Sequence, residues 1–302
     1  MNDMTIGMVG LGKMGLNLSL NMNDHDIKVI GYDKYPDEAI VDDHPGIKIA
    51  KTLNELVKQL PTPRVVWVMV PAGTITDHVL GQLKDMLDEN DIVIDGGNSR
   101  YTDSIRHGNM LEEAGIRFLD VGTSGGQSGA RKGACYMIGG TKDAFKEIEM
   151  IFAKTSVKDG YAYMGENGTG HFVKMVHNAV EYGMMQAIGE GFDLLEASPY
   201  DLDYEQVSNV WANGSIISGL LMDMVNKAMK KDPKLKKILG RVDDSGEGRW
   251  AVEEAVLRKV STPVIAQALF SRFKSKDDDK FSEKVVAAMR FEFGGHAVYD
   301  AS

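Results

Sequence analysis

Residues 5–9, Thr-Ile-Gly-Met-Val, form a short apolar run that passes straight into Gly10-Leu11-Gly12-Lys13-Met14-Gly15 and a helical pattern to about Met22. A glycine-rich turn between a strand and a helix restricts the fold more than any other segment of this chain. In such a turn Gly10 allows the tight bend, Gly12 lets backbone N–H groups approach a pyrophosphate, and Gly15 lets the helix pack on the sheet. The helix N-terminus then points its positive end at the phosphates. A second strand pattern, Lys28–Tyr32, ends at Asp33, eighteen residues after Gly15. A carboxylate there accepts hydrogen bonds from an adenosine ribose and repels a 2′-phosphate. The expected dinucleotide is therefore NAD, with NADP left open by the neighbouring cation Lys34.

The alternation continues through strand patterns at Val65–Val70, Asp91–Asp95, Arg117–Val121 and Cys135–Ile138. Helical patterns lie between them at Thr52–Gln59, Thr74–Leu87 and Asp103–Ala114. Continuous apolar runs suit strands buried on both faces, so a mostly parallel sheet with helices on each side is predicted. After Gly165-Glu-Asn-Gly-Thr-Gly170 the strand patterns stop. Helical segments follow at His171–Glu196, Tyr204–Asn213, Ile216–Lys230, Ala251–Val260, Pro263–Lys274 and Ser282–Phe293, with loops expected at 231–249 and 275–280. The predicted organisation is a Rossmann-type α/β domain over 1–165 and an all-α substrate and oligomerisation domain over 166–302.

Composition narrows the function classes. The net charge of −10 disfavours nucleic acid and anionic membranes as partners. Cys135 is the only cysteine, which excludes an intrachain disulfide and fits a reducing compartment. The start of the chain has no basic n-region, and its strongest apolar run, Val65–Val70, is far too short for a bilayer span, so a cytoplasmic location is expected. Clusters of His, Cys and carboxylates with metal-ligand spacing are lacking, and no metal is expected.

Within His171–Met185, the residues Lys174, His177, Asn178, Glu181 and Tyr182 recur at i, i+3, i+4, i+7 and i+8. That spacing places them on one helix face, with Phe172, Val176, Ala179, Val180 and Gly183 opposite, where they suit packing. Such a face is either an ordinary solvated stripe or an active-site face holding a base, an acid and hydrogen-bonding groups.

Five segments taken together decide for the second reading. They are Gly10–Gly15; Asp95-Gly-Gly-Asn98-Ser99; Ser124-Gly125-Gly126 with Gly129-Ala130-Arg131; Gly168 through Asn178 with Glu181-Tyr182; and Arg290-Phe-Glu-Phe-Gly-Gly-His296. Across nearly its whole length the chain resembles the decarboxylating 6-phosphogluconate dehydrogenases of the β-hydroxyacid dehydrogenase superfamily. The superfamily shares the lysine and the asparagine four residues on; His177, Glu181 and the Gly-Gly-Asn segment single out this branch.

The resemblance implies oxidation of a 3-hydroxy sugar acid carrying a terminal phosphate, loss of CO2 from the β-keto acid, and protonation of the resulting enediol at C1. Lys174 matches the base and Glu181 the group that protonates C1. A lysine in that role needs a pKa well below ~10.4. Asn98, Ser124, Gly125, Gly126, His177 and Asn178 match residues that hold the substrate and the nicotinamide end. Tyr182 matches a phosphate contact. Gly10, Leu11, Gly12, Lys13, Met14, Gly15, Asp33, Val70, Pro71, Ala72 and Asn98 match the dinucleotide-binding positions. Arg290 and His296 match tail residues that enter a neighbouring subunit's site, Arg290 on the phosphate.

The chain also departs from the longer form of this family, in which the helical domain is roughly doubled. Ser245 and Glu247 precede Gly248-Arg249-Trp250 where the long form has a lysine and a threonine. Gln267 stands where a helical arginine is expected, with Arg272 beyond it, so Arg249 and Arg272 are the further candidate phosphate cations. The shorter helical domain implies a homodimer or homotetramer with shared active sites. The alternative activity is that of another β-hydroxyacid dehydrogenase, acting on a small unphosphorylated acid.

Overall fold

The computed structural model describes residues 4–36, 44 and 46–299. They divide into two compact units, one up to Asn178 and one from Ala179 onward.

The first unit is built on an eight-stranded sheet. Its strands are β1 (Thr5–Val9), β2 (Lys28–Tyr32), β3 (Ile47–Ile49), β4 (Val65–Val68), β5 (Ile92–Asp95), β6 (Arg117–Ser124), β7 (Ala134–Gly140) and β8 (Ser156–Gly165). They lie in the order β3-β2-β1-β4-β5-β6-β7-β8. The β6–β7 pair is antiparallel and its neighbours in the sheet are parallel. Six helices connect the strands: α1 (Lys13–Asp24), α2 (Leu53–Gln59), α3 (Thr74–Met86), α4 (Tyr101–Glu112), α5 (Gly126–Lys132) and α6 (Lys142–Thr155).

Alternate residues of the central strands feed two separate cores, as expected where successive side chains point to opposite faces. Ile6, Met8, Trp67, Ile94 and Val121 join one cluster with Leu18 of α1 and Phe152 of α6. Val9, Val66, Val68, Val93 and Phe118 join the other with Leu56 of α2, Leu80 of α3 and Leu111 of α4. The apolar runs therefore do mark strands covered on both sides.

Four elements go beyond the sequence pattern: β3, α5, α6 and β8. β8 carries the polar stretch Ser-Val-Lys-Asp-Gly and lies at the sheet edge, where packing demands little of it. β4 ends at Val68 rather than Val70, because its neighbours β1 and β5 end opposite it at Val9 and Asp95.

Helix α7 (Thr169–Glu196) begins in the first unit and ends in the second. The rest of the second unit is helical: α8 (Tyr204–Ala212), α9 (Leu220–Lys231), α10 (Glu247–Arg258), α11 (Pro263–Lys274) and α12 (Phe281–Gly294). Two starts differ from expectation, and glycines set both. Gly219 (φ 145°) places the start of α9 at Leu220 rather than Ile216, and Gly246 (φ 105°) starts α10 inside the segment expected to be a loop. Among the described residues no helix is long and apolar enough to cross a membrane.

Asn21 ties distant parts of the first unit together. Its buried side-chain amide donates to the carbonyls of Ala130 in α5 and Thr155 at the end of α6, both at 3.0 Å. Asn21→Ala leaves two buried carbonyls without this donor, at roughly 1–3 kcal/mol each. A lowered urea midpoint with an unchanged slope is the expected outcome.

Candidate active site

At the end of β1 the Gly10 N–H donates to Tyr32 O at 2.8 Å, and Gly10 turns the chain with φ 98°. A Cβ on Gly15 would lie 2.0 Å from Gly10 O, so only glycine lets α1 pack this closely. Gly12 differs: it is exposed, and a Cβ there would meet nothing within 4 Å. Gly12 caps α1 with no side-chain hydrogen bond, and Lys13 and Met14 open the helix. The N-terminal amides of α1 thus face open space without a side-chain acceptor, which fits a dinucleotide pyrophosphate.

Asp33 has a second task besides any ribose contact. Its Oδ2 accepts from Leu11 N–H at 2.7 Å and its Oδ1 from Tyr35 N–H at 2.9 Å. Lys34 lies over the Tyr35 ring, 5.5 Å from its centroid. Val70 is half-buried, and Pro71 and Ala72 are exposed after β4, held by the Thr76 hydroxyl on Pro71 O at 3.0 Å.

At the end of β5, Asp95 Oδ1 accepts from Gly97 N–H at 3.1 Å and shapes the turn that leaves Asn98 exposed. Ser124 ends β6, and Gly125 (φ 110°) turns the chain so that Gly126 opens α5. The Ser124 hydroxyl lies 3.1 Å from His177 Nε2, and His177 Nδ1 lies 2.9 Å from Asn178 Oδ1. A neutral imidazole donating from Nδ1 satisfies all three: it accepts the Ser124 hydroxyl proton at Nε2.

Three of the five residues on the polar face of α7 are buried, while His177 and Glu181 are half-buried. Lys174 and Asn178 are 7% and 9% exposed, and Tyr182 is 5% exposed. The expected packing side is the one that departs: Val176 and Val180 are exposed, although Ala179 and Gly183 are buried. Polar groups are costly to bury, so a helix that hides them and shows its valines has that face shaped by something other than core packing.

Three further residues support α7: Asp120 and Ser104, which belong to no motif, and His171, which lies inside the segment from Gly168 to Asn178. The Asp120 carboxylate, wholly buried in β6, accepts from Gly168 N–H and His171 N–H, both at 2.8 Å. Burial pushes the Asp120 carboxyl up from its ordinary value, against the lowering effect of His171 and those two N–H groups. His171 Nδ1 lies 2.7 Å from the Ser104 hydroxyl of α4. The available signal was an ionisable residue inside the apolar run Arg117–Val121.

In the second unit, Glu181 is half-buried on α7. The Tyr182 hydroxyl accepts from Ser245 N–H at 3.0 Å and lies 3.0 Å from Ser245 Oγ. Ser245 Oγ in turn donates to Glu247 at 2.5 Å. The Tyr182 hydroxyl is therefore engaged by the chain itself. Arg249 grips Asp244 Oδ2 through Nε and Nη2 at 3.1 and 2.6 Å. Burial works against ionisation of Asp244, but the Gly246 N–H and Arg249 outweigh it and hold the carboxyl below its ordinary value. The Arg272 guanidinium stacks on the Tyr182 ring at 3.4 Å. Arg290 on α12 and His296 after it are exposed.

The first unit thus brings the glycine loop and Asp33 together, and Ser124 together with His177 and Asn178. Comparison with known proteins gives this arrangement its family. The NAD binding domain of 6-phosphogluconate dehydrogenase matches residues 5–176, and the 6-phosphogluconate dehydrogenase C-terminal domain matches residues 170–293. A Bacillus subtilis (strain 168) chain provisionally named 6-phosphogluconate dehydrogenase is 50% identical over 97% of this chain and 99% of its own length. The chain belongs to the 6-phosphogluconate dehydrogenase family. A second relative is the NAD(+)-dependent, decarboxylating 6-phosphogluconate dehydrogenase of Haloferax volcanii, 39% identical over 98% of both chains. The Plasmodium falciparum 6-phosphogluconate dehydrogenase, solved in its apo form, with its cofactor NADP+ and with its substrate 6-phosphogluconate, superposes with a TM-score of 0.81. It is 30% identical, and the match covers 98% of this chain and 66% of that one. A Mycobacterium tuberculosis 3-hydroxyisobutyrate dehydrogenase shares the fold at 21% identity, with a TM-score of 0.70 over 91% of this chain and 94% of that one.

The two glycines of the loop are separable by experiment. Gly12→Ala should leave the melting temperature within a degree or two while weakening nicotinamide-dinucleotide binding by calorimetry roughly tenfold or more, because its methyl group enters only the open space before α1, where a pyrophosphate fits. Gly15→Ala should lower both, since its methyl group collides with the backbone.

Proposed function

We propose that this chain oxidises and decarboxylates 6-phosphogluconate to ribulose 5-phosphate and CO2, with NAD as the preferred dinucleotide. The observation that carries the reading is the buried polar face of α7, where Lys174 and Asn178 are hidden and His177 is engaged with Ser124. Gly10, Gly12, the first turn of α1 and Asp33 would hold the dinucleotide. Bound there, the nicotinamide supplies the hydride acceptor.

Lys174 takes the C3 hydroxyl proton as C3 is oxidised and, once protonated, holds the C3 oxygen while CO2 departs. Glu181 delivers the proton to C1 of the enediol. Asn98, Ser124, His177 and Asn178 orient the hydroxyls and carboxylate. Arg249 is paired with the Asp244 carboxylate, whereas Arg272, stacked on Tyr182, donates to the neutral Asp243 carbonyl at 2.8 Å and so keeps its charge as the better cation of its own chain for the phosphate. Tyr182 serves that site through its ring, because Ser245 occupies its hydroxyl.

Two features support NAD: the carboxylate of Asp33 just after β2, held beside the glycine loop by Leu11 N–H, and the diversion of Lys34 onto Tyr35. The Haloferax relative, named as NAD(+)-dependent, agrees. A homodimer or homotetramer belongs to the same reading. Phe281, Val285, Val286, Met289 and Phe291 of α12 are exposed in the single chain, and a second copy would cover them and receive Arg290 and His296. A cytoplasmic location completes it.

Turnover with 6-phosphogluconate should show kcat/KM about tenfold or more higher with NAD than with NADP, a difference of ~1.4 kcal/mol. Asp33→Ala should narrow that ratio, because the ribose acceptor and the charge that repels a 2′-phosphate go with the carboxylate, while loss of the Leu11 contact lowers efficiency with both dinucleotides. Equal efficiencies in the parent would remove the assignment. For the shared site, Lys174→Met and Arg290→Ala should each be inactive alone and partly active after subunit exchange. No recovery in proven mixed oligomers would return the tail to its own subunit.

A further inference from the structure

We propose that Asp120 is a positioning residue for Lys174: from the middle of β6 its carboxylate caps α7 and sets the depth at which the lysine is held. The proposal rests on the reading of Lys174 as the base.

The first N–H groups of any helix lack intrahelical acceptors, and a negative group near them is favoured by the helix dipole. Such caps ordinarily come from the residue just before the helix. Here the cap is 48 and 51 residues away from the N–H groups it accepts, Gly168 and His171. It therefore binds the helix to the sheet and not merely to its own preceding turn. His171 stands one turn before Lys174, so the second of these bonds acts directly on the turn that carries the lysine.

The same strand touches the lysine itself. A Cβ on Gly122 would lie 2.4 Å from Lys174 Cβ, and a Cβ on Gly170 would lie 2.2 Å from Asp120 O. With no side chain between helix and strand, a shift in the cap moves Lys174 with it. A wholly buried carboxylate is an expensive way to stabilise a helix end, which a local serine or threonine achieves without it. Its neighbour extends the pattern. Asp95 sits in register with Asp120 on β5 and, through Gly97 N–H, shapes the turn that carries Asn98. Two adjacent buried carboxylates thus hold two separate parts of the site.

Asp120→Asn keeps the shape but turns an amide N–H2 toward one of the two donors. Turnover with 6-phosphogluconate should fall roughly ten- to a hundredfold, the scale of a small misplacement at a reacting group. KM for the dinucleotide should stay within about twofold of the parent, a split that general destabilisation does not produce. Hydrogen exchange at Gly168 and His171 should speed up, and acylation of Lys174 by a small active ester should change relative to exposed Lys146. Ser104→Ala removes the His171 ring contact, with a long 3.5 Å bond to Arg100 O at the start of α4, and should leave kcat nearly unchanged; a loss equal to that of Asp120→Asn would assign the effect to the ring instead and overturn the proposal. An Asp120→Asn enzyme with parental kcat and parental Lys174 labelling would also overturn it. If that variant does not fold, the parent decides: Gly168 and His171 amides must exchange as slowly as those inside β6, and rapid exchange refutes the cap. Lys174→Met separates the two ideas. Retained NADH formation there would defeat the reading of Lys174 as base, while exchange and labelling would still report on the cap.

Discussion

The position of α7 depends on a carboxylate that never meets water. Asp120 meets two N–H groups at the start of that helix, and glycines at 122, 139 and 170 let the backbones of β6, β7 and α7 approach without intervening side chains. Around this contact the first unit is conventional. Its central strands are covered on both faces, and its two cores contain the expected branched and aromatic residues. The polar face of α7 is the exception, and the exception is where the proposed chemistry lies.

The protein treats two helix N-termini in opposite ways. At α1 the amides are left without a side-chain acceptor beside an exposed glycine, and the positive end of the helix faces open space. At α7 the corresponding groups are closed by a buried carboxylate. An uncapped terminus attracts an anion from outside; a capped one is neutralised and fixed in place. The first suits a helix that binds something which comes and goes, and the second a helix whose side chain must stay put.

Much of this was legible beforehand. The glycine loop, Asp33 and the central strands follow from apolar runs and turn residues, because burial on both faces leaves a strong compositional mark. The spacing of Lys174, Asn178 and Tyr182 located the polar face, but periodicity could not tell which face of α7 is hidden, and Val176 and Val180 prove to be exposed. β8 left no apolar signature because a polar edge strand needs none. The starts of α9 and α10 were misplaced because positive φ at Gly219 and Gly246, not hydrophobic pattern, sets them. Asp120 was not singled out within the apolar run Arg117–Val121, because its partners lie some fifty residues on. Only the folded chain shows that Tyr182 spends its hydroxyl on Ser245, and that Arg249 is occupied while Arg272 lies on the tyrosine ring.

The glycine contact between β6 and α7 also bears on how such a site survives divergence. Elsewhere in the sheet, helix and strand meet through leucines, valines and phenylalanines, and exchanges among these shift neighbouring backbones as the side chains repack. Between Gly122 and Lys174 there is no side-chain layer to repack. Substitutions can accumulate in both cores while the spacing between this strand and the lysine remains that of a strand backbone against the lysine's own Cβ and Cγ. The same feature makes position 122 intolerant, because even a methyl group there would push the helix away. The geometry of the reacting group is thereby insulated from drift in the hydrophobic core and exposed to change at very few residues.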